Sequence, residues 1–375
     1  MDYTLYGTPG SLYTGKVRSY LIKQRIGFEE RAAGEPRFRA EIAPKVGRWI
    51  IPVLEAPDGE LLQDGSEIIA TLDARGLSRL PPYPQTPRHR LIGQVFELFG
   101  GEGLVRPAMH YRWNFDDSNL PFLGQDFAAA LAPGASGEAA QTVFDGASTR
   151  MRAAMASFGV SEATIPAVEA SYAEFLDLFD AHLAASPYLL GGRPTLGDYG
   201  LIAPLYAHLA RDPAPAALMK RRAFRVWRWV ERMNAAGQDA GEYGSPPEDL
   251  FADDAVPETL KALLRFVAED YLPEVRAYVA FANAWLAERP ELEAGTNGLK
   301  NPGGRGIGRT DFTWRGLPMQ VGVMPYRLWL LQKVQDAAGP AEAQALLAET
   351  GLGDLTTLTT TRKVERKGFL EVWEG

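Results

Sequence analysis

The chain has 375 residues, 46% hydrophobic and 23% charged, with a formal net charge of −8 and no cysteine. That length is too great for one ordinary core and suits two domains or an enlarged pair. The lack of cysteine excludes disulfides, thiolate metal sites and any reaction in which the protein supplies the sulfur, and the acidic balance argues against nucleic acid, whose phosphates need basic neutralisation. No run approaches the roughly 18 apolar residues that span a bilayer. Met1-Asp2-Tyr3-Thr4-Leu5-Tyr6 shows no signal-peptide pattern either, so the expectation is a cytoplasmic protein without membrane insertion.

Residues 3–6 alternate as a short strand, and Gly7-Thr8-Pro9-Gly10 signals a turn. From Ser11 the apolar spacing becomes helical through Leu12, Val17, Tyr20 and Leu21, and Gly27 stops it. Strands are expected over 28–31 and 50–55, the latter with Pro52 inside it. Asp58-Gly59 marks a hairpin turn, 60–63 return, and 66–77 are helical, giving β-α-β, a loop, then β-β-α. Leu80-Pro81-Pro82-Tyr83-Pro84 is a stiff linker. Helices are expected over 87–112, 138–158, 166–185, 196–211 and 222–235, with a flexible connection at 132–137. A Gly-, Ser- and Pro-rich stretch at 237–247 ends that part, so the expected divisions are 1–79, 84–240 and 248–375. In the last part, 257–288 read as two helices broken at Pro273, 295–308 as a glycine-rich loop and 312–324 as a hairpin around Gly316-Leu317-Pro318. Two further helical stretches follow, and 362–373 end the chain as a strand.

Pro52 breaks the usual rule for strand interiors. It reads either as an edge-strand proline or as a cis Ile51–Pro52 bond that turns the Ile51 N–H and C=O toward a ligand. Four motifs in order carry a resemblance: Tyr3-Thr4-Leu5-Tyr6-Gly7-Thr8-Pro9-Gly10-Ser11 with Gly15-Lys16-Val17-Arg18; Ile51-Pro52-Val53-Leu54-Glu55; Gln63-Asp64-Gly65-Ser66-Glu67-Ile68-Ile69; and Leu190-Gly191-Gly192-Arg193-Pro194-Thr195-Leu196-Gly197-Asp198. Together they resemble the glutathione transferase superfamily over about 235 residues. The resemblance implies a thioredoxin-like N-terminal domain and an all-helical second domain, here followed by a mostly helical extension, α/β plus all-α. It also implies a homodimer with glutathione as co-substrate, no metal, and a role in detoxification.

By the resemblance, Ser11 falls where serine-type members touch the glutathione sulfur, with Tyr6 and Tyr13 as the competing hydroxyls. Ile51 and Pro52 would pair with the tripeptide backbone. Asp64 and the start of the helix after it (Gly65, Ser66) would hold the γ-glutamyl end, and Arg48 or Lys45 the glycyl carboxylate. The family's serine beside the acidic residue is here Gly65, with Ser66 one position late. Met109, Tyr111 and Trp113, in an aromatic-rich run, would wall a pocket for a hydrophobic electrophile, although aromatics at helical spacing also describe a core.

Other features read as structural. Thr195 and Asp198 form a capping box, Lys16 and Arg18 suit a domain interface or solvent, and His89, His110, His182 and His208 show no triad or metal spacing. The Gly303-Gly304-Arg305-Gly306-Ile307-Gly308 loop follows no credible strand, so phosphate binding is not expected there. Three functions stay open: a glutathione-dependent enzyme, a non-catalytic glutathione or ligand carrier, and an interaction module that would expose Trp314, Tyr326 and Trp329.

Overall fold

The computed structural model describes residues 2–375. Its first layer is a four-stranded sheet, ordered β2-β1-β3-β4, built from β1 (Tyr3–Gly7), β2 (Phe28–Ala32), β3 (Val53–Glu55) and β4 (Leu61–Gln63). β1 runs parallel to β2 and antiparallel to β3, with Tyr6 opposite Val53. Strand side chains alternate between faces. Leu5 and Leu54 therefore pack with Val17, Tyr20 and Leu21 of α1 (Leu12–Gln24) and Ile68, Ile69 and Leu72 of α3 (Gly65–Ala74), while Tyr6 and Val53 meet Phe38, Ile42 and Val46 on the other side. The segment expected as a loop between β2 and β3 contains a π-helical turn (Phe38–Ile42) running into α2 (Ala43–Val46). This is the thioredoxin-like domain.

The helical domain follows as α4 (Pro87–Leu98), α5 (Val105–Trp113), α6 (Asp116–Leu131), α7 (Gly137–Ala154), α8 (Ile165–His182), α9 (Leu196–Ala207), α10 (Pro213–Arg222) and α11 (Phe224–Met233). The single helix expected over 87–112 is two, joined by a π-helical turn over Phe99–Gly103. The turn presses directly on α9: a Cβ on Gly100 would lie 2.4 Å from the Gly200 carbonyl carbon, so only glycine fits there. α6 and α10 were not foreseen, because Pro121 lies inside the first and Pro213 and Pro215 open the second. The Thr195–Asp198 capping box is present, with Asp198 Oδ2 accepting the Thr195 N–H at 2.9 Å.

The extension comprises α12 (Glu258–Asp270), α13 (Leu272–Ala287), hairpin β5 (Gly308–Trp314) and β6 (Leu317–Val323), α14 (Pro325–Ala337), α15 (Ala341–Glu349), and hairpin β7 (Val364–Lys367) and β8 (Leu370–Trp373). The ending expected as one strand is thus two, turning at Gly368 and Phe369, both with positive φ (54° and 67°). α14 and α15 lie on α4, and α12 lies on α8. Trp314 and Tyr326 are buried and Trp329 is partly buried, so the aromatic cluster packs inside instead of offering a docking face. One continuous apolar core runs from Leu5 in β1 to Trp373 in β8.

His182 bolts the helical domain to the extension: its Nε2 meets the Leu189 carbonyl at 2.8 Å and its Nδ1 meets Thr259 Oγ1, just inside α12, at 2.9 Å. Burial pushes its imidazole from 6.5 down to about 4, against the upward pull of the Leu189 carbonyl. A histidine with a depressed folded pKa contributes stability that is complete above its ordinary pKa and is lost as pH falls through that window. Acidification from about pH 6.5 to about pH 4 should therefore remove roughly 3 kcal/mol through this residue. Urea unfolding at several pH values, compared with His182→Gln, measures it; an identical pH slope in the two proteins would contradict the assignment.

Candidate functional site

β1 leads directly to the N-terminus of α1, and β3 begins beside the end of β1, so Ser11 and the Ile51–Pro52 peptide belong to one end of the sheet. The Ile51–Pro52 bond is cis. Ser11 is the N-cap of α1, extended at φ −93° and ψ 126°, and its Oγ accepts the Thr14 N–H at 3.4 Å. Among the described residues the hydroxyl proton has no acceptor, and no acidic side chain occupies the first turn of α1 to offset the positive end of the helix dipole.

The two tyrosines are committed elsewhere. Tyr6 points to the opposite face of the sheet, donates to Glu55 Oε2 at 3.0 Å and takes a short contact from Arg37; burial, then Glu55, push its phenol up to about 12. Tyr13 donates to Glu102 Oε1 at 3.2 Å, and burial followed by the Glu102 charge raises its phenol far above the ordinary value.

Where the γ-glutamyl group is expected, Asp64 caps α3 from a positive φ of 84° and accepts the N–H groups of Ser66 (2.9 Å) and Glu67 (3.3 Å). Burial alone would push its carboxyl up, but Arg366, Lys16 and the Tyr326 hydroxyl hold it below the usual range. Ser66, expected to help hold a ligand carboxylate, is spent inside the protein: it donates to Glu97 Oε1 at 2.6 Å and accepts from Lys16 Nζ at 2.9 Å, and Lys16 reaches Glu97 at 2.5 Å. Gly65 makes room for that arrangement, because a Cβ there would sit 3.0 Å from Lys16 Cδ. Lys16 is therefore an interface residue, as is Arg18, which pairs with Glu30 and lies over the Tyr206 ring.

The extension reaches this same end of the sheet. Arg48 pairs with both carboxylate oxygens of Glu371 (3.1 Å each) and donates to the Phe369 carbonyl at 2.8 Å. Arg366 donates to Gln63 Oε1 at 2.6 Å, lies 3.1 Å from Glu67 and pairs with Glu371. The Phe369 side chain, like those of Ile50, Ile51 and Leu61, packs against the cluster of Tyr6, Phe38, Val46 and Val53. Gly303 approaches Gly47 and Arg48, which brings the glycine-rich loop to the rim, where Arg305 stacks on Tyr326. Beside the hairpin tip lies a hollow of about 420 Å³ lined by Gln63, Glu67, Trp329, Lys333 and Phe369. Nothing local in the sequence signals these contacts, since Arg48 and Glu371 are 323 positions apart.

Met109, Tyr111 and Trp113, expected to wall an acceptor pocket, are core residues: Tyr111 stacks on Phe115 and tilts against Tyr172, and Trp113 packs on Phe127. The reason is the π-helical turn ahead of α5, after which all nine residues of that helix are buried. His110 bonds Glu169 and Asn114. Among the described residues no three His, Asp or Glu side chains converge as a metal would need, and no helix is long and apolar enough to cross a membrane.

Residues 5–76 match the glutathione S-transferase N-terminal domain and residues 162–233 the glutathione S-transferase C-terminal domain. Two segments of the chain thus carry the N- and C-terminal domains of the glutathione S-transferase family. Similar solved structures include a glutathione S-transferase from Methylobacterium radiotolerans in complex with glutathione sulfonate (20% identity, covering 68% of this chain and 100% of that one, TM-score 0.38). Others are the beta-etherase LigF from Sphingobium sp. (16%, 64% and 98%, 0.43) and glutathione transferase GSTFuA3 from Phanerochaete chrysosporium (16%, 63% and 98%, 0.44). No curated protein matches the chain.

The Lys16–Gly65 contact generates a test. Gly65→Ser would restore the family's hydroxyl but force its Cβ onto a buried, paired lysine, and it should destabilise the protein by about 1–3 kcal/mol in denaturant titration. A Gly65→Ser protein as stable as the parent would show that Lys16 moves aside freely.

Proposed function

We propose that this chain is a glutathione-dependent transferase of the serine type, in which the Ser11 hydroxyl holds the glutathione sulfur as thiolate for attack on a hydrophobic electrophile. The observation that carries this reading is the contrast among three hydroxyls: those of Tyr6 and Tyr13 are fastened to buried or half-buried carboxylates, whereas Ser11 keeps its proton free at a helix N-terminus. A free thiol ionises near 8.5, and lowering it to about 6.5 requires roughly 2.7 kcal/mol. A hydroxyl donating to an anion supplies about 1.5–3 kcal/mol, and the helix terminus about 0.3–1 kcal/mol. The two suffice without a general base, the thiol proton passing to solvent. Attack then forms the carbon–sulfur bond as the leaving group departs with its electron pair.

Asp64 would take the tripeptide's ammonium, the N–H groups at the start of α3 its α-carboxylate, Ile51 its backbone, and Arg48 its glycyl carboxylate. A detoxification role, a cytoplasmic setting and a homodimer belong to the same reading; any such dimer would use a surface other than the α4 face that α14 and α15 cover. A second reading, a non-catalytic binding protein, is favoured by one observation: Arg48, Gln63 and Asp64 already face partners from the chain's own C-terminal part.

Calorimetric titration of glutathione, followed by thiolate absorbance against pH in the parent and in Ser11→Ala, separates the two. The transferase reading expects a bound thiol pKa about 1–2 units below the free value that returns on Ser11→Ala, with turnover falling at least about tenfold. Binding without a shifted thiol supports the carrier, and an unchanged thiol pKa in Ser11→Ala would remove Ser11 from its role.

A further inference from the structure

The anchors assigned above to glutathione are occupied in a particular charge order. A guanidinium, Arg366, stands at the Gln63–Asp64 end, where the tripeptide would bring its ammonium. A carboxylate, Glu371, stands on Arg48, where it would bring its glycyl carboxylate. Phe369 packs on the same Tyr6–Val53 cluster that Ile50 and Ile51 cover. We propose that the β7–β8 hairpin tip is an internal ligand of the tripeptide cleft, so that free glutathione binds only as Arg366, Phe369 and Glu371 lift away. This rests on the glutathione reading just given.

The hairpin is built for this placement. Its two-residue turn at Gly368 and Phe369 has positive φ at both positions, as a tight hairpin of matching twist requires. Phe369 is an unusual residue for that conformation, which costs about 1–2 kcal/mol outside glycine, and its side chain packs on the Tyr6–Val53 cluster that Ile51 also covers. The register sets Arg366 directly opposite Glu371. The two therefore pair across the strands and reach Gln63 and Arg48 as one unit.

Root and tip of the hairpin differ. At the root, Val364 and Trp373 are buried, Trp373 stacks on Trp285, Gln332 clasps Val364 through both backbone groups (2.8 and 2.9 Å), and Trp373 bridges to Thr296. At the tip, Lys367 and Gly368 are exposed and the contacts to the sheet are polar, apart from Phe369. The tip can leave while the root stays.

A ligand that needs a fractionally populated open state binds with its affinity reduced by that fraction. Glutathione titration of the full chain therefore compares the parent with the double variant Arg366→Ala/Glu371→Ala, which leaves Val364 and Trp373 untouched. The expected result is at least about tenfold tighter binding by the variant. Equal affinity would overturn the internal-ligand proposal and leave the glutathione reading standing; no binding by either protein would overturn both. Amide exchange of residues 365–372 in the parent, which does not depend on the variant folding, should rise when glutathione is added at saturation. Unchanged exchange with glutathione bound would likewise refute displacement.

Discussion

The structure depends on one buried chain of alternating charges. Arg327 of α14 donates to Glu102 at 2.8 Å and to Glu274 at 2.7 Å, Arg106 takes the other oxygen of Glu274, and Tyr13 donates to the other oxygen of Glu102. The four charged side chains are at most 3% exposed. Isolated charges could not be buried so deeply, because desolvation costs several kcal/mol per ion and only well-placed partners offset it. Positive and negative groups alternate along this chain, and every carboxylate oxygen in it has a donor. Tyr13 belongs to the thioredoxin-like domain, Glu102 and Arg106 to the helical domain, and Glu274 and Arg327 to the extension. Removing any one member strands its neighbours, so the three parts are held in one arrangement.

The first helix plays a matching role on its other side. Ser19 donates to the Met233 carbonyl, Lys23 to that of Gly237, and Gln24 to Leu80 and Tyr199, all within 3.1 Å. An interface fixed by buried hydrogen bonds specifies register more sharply than apolar contact, because each unmade bond costs about 1–3 kcal/mol. With the Tyr13–Glu102 bond near its start, these bonds hold α1 against its surroundings along its whole length.

Much of the first domain was legible in the sequence because its signals are local. The Tyr3–Gly7 strand, the helix that begins after Ser11, the Asp58-Gly59 turn and the helix that begins after Asp64 each follow from neighbouring residues. The capping box at Thr195 was legible for the same reason. What failed was long-range or glycine-driven. The π-helical turn between α4 and α5 places Gly100 against Gly200, a hundred positions away. Ser66 turns inward because Lys16 and Glu97 claim it. Met109, Tyr111 and Trp113 fit a pocket wall and a core equally well by spacing, and only the packing of α5 on α8 settles it. The hairpin's grip on Arg48 leaves no trace in any short window.

That grip also determines what can loosen it. Arg366 and Glu371 face each other across the strands, so lifting the tip carries a paired, net-neutral unit into water, at much less cost than exposing one buried ion. What stays behind is two charges short of a partner: Arg48 loses its carboxylate, and Gln63 and Asp64 lose the Arg366 guanidinium. A ligand bearing only one charge repairs one end and leaves the other stranded. One that offers an ammonium and a carboxylate at the separation of Asp64 and Arg48 repairs both. On the internal-ligand proposal, selectivity for a doubly charged peptide-like ligand follows from the anchors left bare, and the competing hairpin sharpens it, because a partial match cannot recover the contacts the tip gives up.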